Sequence, residues 1–177
     1  MPQLRKRCVP VPGSCLVLIG MPCSGKSTLG RLISKKTGWA WVDTDYLLES
    51  WWGMPLQVIR DRLGLDGFLS AEQEMISSLK SYRTVISTGG SVVYSPRAMA
   101  VLAELGRIAF LRAGIETIKM RLTDHSTRGL AVRPGQTLED VFRARSPLYE
   151  KYAGLIVDTD GCGPEKSADL IIKWLRK

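Results

Sequence analysis

Gly20-Met-Pro-Cys-Ser-Gly25-Lys26-Ser27-Thr28 follows the spacing G-x-x-x-x-G-K-[ST], and the residues around it give that spacing its meaning. Before it, Cys15-Leu-Val-Leu-Ile19 is a short apolar run that reads as a buried strand. After it, Leu29, Leu32 and Ile33 recur at helical spacing. A glycine-rich loop between a strand and a helix is the setting in which this pattern binds phosphate. Gly20 and Gly25 allow backbone dihedrals that a Cβ resists. Loop amides and the helix N-terminus can then surround an anion. Lys26 brings a mobile positive charge to the outer phosphates, and the Ser27 hydroxyl can ligate Mg²⁺. Gly20, Cys23, Ser24, Gly25, Lys26, Ser27 and Thr28 are thus the expected nucleotide contacts. Alkylation of Cys23, inside the loop, would obstruct the nucleotide.

Apolar runs recur along the 177 residues at Leu16–Ile19, Trp39–Val42, Thr84–Ser87, Arg107–Leu111 and Leu155–Val157. Each is short and near-continuous, as strands of a parallel sheet covered on both faces are. Helical patterns separate them at about 26–37, 45–51, 55–63, 70–81, 96–105, 114–123, 137–151 and 164–176. The expected fold is α/β: a three-layer α/β/α domain with a five-stranded parallel sheet. One domain spanning 1–177 is expected. The polar, aperiodic stretch from Thr123 to Gly135, with Arg121, Arg128 and Arg133 in or beside it, reads as a mobile lid over about 123–136.

Composition narrows the partners. The net charge is +8, but the basic residues are spread along the chain. A nucleotide and an anionic substrate account for an electropositive cleft without nucleic acid. No apolar run reaches the roughly 18 residues of a membrane helix. No signal-like segment precedes the first strand, so a cytoplasmic protein is expected. Cys8, Cys15, Cys23 and Cys162 form no C-x-x-C pair, and His125 is the one histidine, which disfavours zinc and favours free thiols.

Two further stretches carry chemistry. Asp43 and Asp45 end the second strand, where ligands sit in parallel sheets, and would point the same way if the chain stays extended. Asp43 alternatively caps the next helix. Thr88-Gly89-Gly90 ends the third strand, and adjacent glycines would bring backbone N–H groups close to a ligand. With Arg145-Ser-Pro-Leu-Tyr149 and Val157-Asp158-Thr159 before Pro164, these ordered features resemble the shikimate kinases from Leu16 to about Trp174.

That resemblance implies an ATP- and Mg²⁺-dependent kinase of amino-acid biosynthesis. Lys26 and Ser27 would hold phosphate and metal, and Asp43 would support the metal. Asp45 would bind the acceptor hydroxyl and act as base, and Gly89 and Gly90 would meet the substrate through backbone. Arg128 would stabilise the transferring phosphoryl group, making Lys26, Asp45 and Arg128 the catalytic set. Arg121 and Pro164 would flank adenine, and Arg145 would pair with a substrate carboxylate. A monomer is expected.

The chain departs from the family in three places. Leu69 replaces the arginine that grips the shikimate carboxylate, Ser91 replaces a third glycine, and the lid reads Arg128-Gly129-Leu130. Shikimate and homoserine therefore both stand as acceptors. Arg60 or Arg62 could reach in from the neighbouring segment. Trp51 and Trp52 could line the acceptor pocket, and Tyr149 could pack beneath Arg145. The rival readings are a regulatory nucleotide-binding protein without an acceptor site, and a nucleoside or nucleotide kinase.

Overall fold

The computed structural model describes residues 14–123 and 135–177. Five parallel strands form one sheet in the order β2-β3-β1-β4-β5. They are β1 (Cys15–Ile19), β2 (Ala40–Asp43), β3 (Thr84–Ser87), β4 (Gly106–Arg112) and β5 (Leu155–Asp158). The helices are α1 (Lys26–Thr37), α2 (Thr44–Trp52), α3 (Leu56–Ser77), α4 (Pro96–Leu105), α5 (Ile115–Thr123), α6 (Leu138–Tyr152) and α7 (Pro164–Leu175). The expected three-layer α/β fold is the observed one.

Strand β1 shows why its sequence is apolar throughout. Cys15, Val17 and Ile19 enter one core with α3, α4 and α6. Leu16 and Leu18 point the other way, into a second core with α1 and α7. Both faces are covered, so no polar alternation survives. From β1 the chain passes to β2 and β3 on one side, then crosses from β3 to β4 on the other. That switch point opens the crevice in which the phosphate loop lies.

The expectations fail locally in three places. The patterns at 55–63 and 70–81 belong to one helix, α3, interrupted at Gly64 (φ 66°, ψ 179°) and ending at Ser77. Gly64, Asp66 and Gly67 look like a loop in sequence, but the helix resumes after one non-helical residue. Strand β2 starts one residue late and stops at Asp43, so Asp45 sits in the first turn of α2 rather than on an extended chain. Trp51 and Trp52 are exposed on α2 and do not line the cleft. Their place is taken by Tyr46, which follows Asp45 directly.

Candidate active site

A cleft of about 770 Å³ runs along the carboxyl ends of β1, β2 and β3. The phosphate loop forms its centre. Gly20 (φ 147°), Cys23 (φ 61°) and Gly25 (φ 97°) all have positive φ. Cys23 is the one of the three with a side chain, so the loop holds a strained residue at its crest. Leu29 N–H is the first amide of α1 to reach a helical acceptor, Gly25 O at 2.9 Å. The amides before it face the cleft, where the helix dipole favours an anion. Ser24 Oγ is buried with no partner among the described residues. A phosphate oxygen fits these needs.

Lys26 is only 8% exposed, and its Nζ donates to Gly20 O (2.9 Å) and Met21 O (2.7 Å). Burial lowers its pKa to about 8 against the opposing pull of Asp45 and Asp43, while Arg145 lowers it further. An arriving phosphate would raise it again. Ser27 Oγ donates to Asp43 Oδ2 at 2.6 Å, and Asp43 Oδ1 accepts from Asp45 N–H at 3.1 Å. Asp43 therefore both caps α2 and faces Ser27. A hydroxyl beside a carboxylate is a donor pair suited to Mg²⁺, which these residues could hold with waters and phosphate oxygens.

The acceptor end is built around Asp45, Gly89, Gly90, Ser91 and Arg145, all lining the cleft. Arg145 comes from α6 and is 1% exposed. A Cβ on Gly90 would lie 3.2 Å from Arg145 Nη1 and 2.8 Å from Pro22 Cδ, so only glycine lets these approach. The Gly89 N–H, expected to face a ligand, is donated instead to Thr44 Oγ1 at 3.0 Å. What Gly89 contributes is room for the Asp45 carboxylate. Arg145 Cζ lies over the Tyr94 ring, 5.1 Å from its centroid. Tyr149 is fully buried, stacks on Phe110 and donates its hydroxyl to Gly90 O at 2.6 Å.

At the other end Arg121 Nη1 donates to Cys23 O at 3.1 Å, tying α5 to the loop. Pro164 opens α7 and lines the cleft with Thr159 and Cys162. Arg128, Arg133 and His125 lie outside the described residues, as does the lid between 124 and 134. The sequence patterns did not point to Tyr46, Leu56 or Arg31 as lining residues. Only the position of Tyr46, next to Asp45, offered a signal.

The family model described as shikimate kinase matches residues 22–176. The chain belongs to the shikimate kinase family. A curated shikimate kinase of Thermodesulfovibrio yellowstonii is 38% identical over 161 residues, covering 89% of this chain and 92% of that protein. One of Pseudomonas paraeruginosa is 36% identical, covering 92% and 96%. Among solved structures, the Aquifex aeolicus shikimate kinase superposes with a TM-score of 0.74 at 27% identity, covering 92% of this chain and 96% of that one. The Acinetobacter baumannii shikimate kinase, solved with shikimate, reaches 0.82 at 24% identity, a likeness of fold. Like its family, the chain is an ATP-dependent phosphotransferase acting on a hydroxyl group. Among the described residues no helix is long and apolar enough to cross a membrane.

Proposed function

We propose that this kinase transfers the ATP γ-phosphoryl group to a hydroxyl of a small carboxylate-bearing metabolite. Arg145 carries the reading. A guanidinium 1% exposed at the end of the cleft opposite the adenine side is an anion receptor for the acceptor, not the donor. Shikimate is the acceptor that the relatives support.

The chain's own residues then divide the work. The loop amides, Ser24 and Thr28 seat the triphosphate, and Arg121 and Pro164 flank the base. Lys26 leaves the Gly20 and Met21 carbonyls for the outer phosphates. Bound Mg²⁺, held by Ser27 with Asp43 in support, would neutralise charge on the β- and γ-oxygens. Asp45 binds the acceptor hydroxyl and takes its proton. Arg145 fixes the carboxylate so that the hydroxyl points in line. Arg128 of the lid, placed by sequence alone, completes the cation set and excludes water. The enzyme works as a monomer, without nucleic acid, its positive charge serving the two anionic substrates.

Homoserine is a second reading, favoured by Leu69. That residue packs partly buried against the core, so one arginine is missing from the carboxylate grip. A charge-assisted hydrogen bond is worth about 1.5–3 kcal/mol. A smaller acceptor needs fewer such bonds. A coupled ATP-consumption assay with shikimate and homoserine side by side decides between them. Turnover of one acceptor well above the ATP-only rate is expected, and the ATP-only rate with both sinks the reading.

A further inference from the structure

Arg145 is a charge buried at the acceptor end, and its surroundings decide where it points. It stands on α6 and is 1% exposed. A buried guanidinium is costly unless its neighbours meet the charge and hold it in one geometry. Its own helix is weakened close by. Pro147 lies inside α6 and lacks the N–H that would bond the Arg143 carbonyl. Position 69 is leucine, so no second guanidinium from there shares the carboxylate. The grip on the acceptor therefore depends on how this one side chain is held.

The segment after β3 meets it. Gly90, Ser91 and the 3₁₀ turn Val92–Tyr94 follow one another along the chain. A Cβ on Gly90 would stand 3.2 Å from Arg145 Nη1, so this backbone closes on the guanidinium. Four residues on, the Tyr94 ring has Arg145 Cζ over it, within the roughly 6 Å at which a cation feels an aromatic face. Tyr94 N–H donates to Ser91 O at 3.0 Å, and Ser95 N–H donates to Val92 O at 3.0 Å, which fixes the turn. Ser95 Oγ then accepts from Ala98 N–H at 3.0 Å and caps α4, so the backbone that carries the ring is anchored on its far side too. Tyr149 follows Arg145 by one turn of α6, and its hydroxyl holds Gly90 O. Residues 90–94 thus supply what both α6 side chains meet.

Tyr94 is 40% exposed and does not line the cleft. Its ring gains less from burial than a core aromatic does, and it does not reach the substrate. What it offers Arg145 is a negative π face. That face attracts the cation without consuming any N–H that a carboxylate needs. We propose that Tyr94 is a positioning residue for the acceptor: its ring holds the Arg145 guanidinium in place for the substrate carboxylate. This assignment rests on the kinase reading above, and it acts through Arg145 alone.

The test uses the full chain, with shikimate and homoserine as probes, each as the free acid and as its methyl ester. Tyr94→Phe keeps the ring, and Tyr94→Leu removes it. Tyr94→Leu should raise KM for the acid that is turned over by about 2- to 30-fold, the span of cation–π attraction from exposed to desolvated sites. KM for ATP should stay unchanged and kcat should change far less than KM. Tyr94→Phe should restore the parent KM. The ester, which has no carboxylate for Arg145, should show no such loss in Tyr94→Leu. An unchanged acid KM in a folded Tyr94→Leu overturns the assignment while the kinase reading stands. Equal losses for acid and ester, or a matching rise in KM for ATP, overturn it as well, because the ring would then serve the fold at large. If no probe raises ATP consumption by the parent protein, the kinase reading itself fails and the assignment falls with it.

Discussion

Lys26 is held among its own loop carbonyls before any ligand arrives. Its Nζ is bonded to Gly20 O and Met21 O, and the cost of burying its charge is already present in the empty loop. Part of the favourable interaction with phosphate is therefore spent replacing two carbonyls. What remains is charge delivered where it develops in transfer, without reorganisation of solvent. Lys26→Ala should lower kcat by about 10²–10³-fold, the usual cost of removing one preorganised donor. Steady-state kinetics at saturating ATP, with circular dichroism as a check on folding, measures it. Near-normal turnover in a folded variant would show that Lys26 acts in binding the nucleotide alone.

At the scale of elements, α1 is positioned by contacts that its sequence does not advertise. Gly30 looks like a helix-weakening residue, worth about 1 kcal/mol against alanine. In the structure a Cβ there would run into Trp41 Nε1 and stand 2.5 Å from Ser87 Oγ. Those two atoms are bonded to each other at 3.0 Å, and Ser87 Oγ donates onward to Lys26 O at 3.1 Å. The chain of bonds sets the start of α1 against β2 and β3, and with it the loop. Gly30→Ala should therefore destabilise by about 1–3 kcal/mol, overpacking outweighing the helix gain. A lowered urea midpoint with an unchanged slope, together with a raised KM for ATP, is the expected result. A rise in the midpoint would mean that α1 moves away at no cost. The same comparison shows what sequence can carry. The strand runs and the nearness of the loop, Asp43, Asp45 and Pro164 to one cleft were legible from local patterns, although Asp45 reaches it from α2 and not from an extended β2. The continuity of α3 past Gly64 was not, because it depends on the core that Phe68, Met75 and Ile76 enter. Nor was the burial of Glu72, or the engagement of Gly89 N–H by Thr44, since both partners lie far apart in the chain.

For the whole molecule, two buried groups shape stability against pH in adjoining windows. Glu72 ordinarily titrates near 4.5 and is raised to about 8 by burial, then by the Asp45 charge. Between those values the folded protein keeps a proton that the unfolded chain has released, so stability falls as pH rises. Lys26 ordinarily titrates near 10.5 and is lowered to about 8, chiefly by burial. Between about 8 and 10.5 the unfolded chain holds the extra proton, so this contribution to stability grows with pH. The two together place a dip near pH 8 in the ligand-free protein. One proton's difference is worth about 1.4 kcal/mol per pH unit, so the acid limb amounts to a few kcal/mol, or several degrees in Tm. Glu72→Gln removes the group that causes that limb. Tm of the ligand-free protein at pH 5.5 and pH 8 should fall clearly for the parent and much less for the variant. Equal falls would show that Glu72 is already ionised at neutral pH.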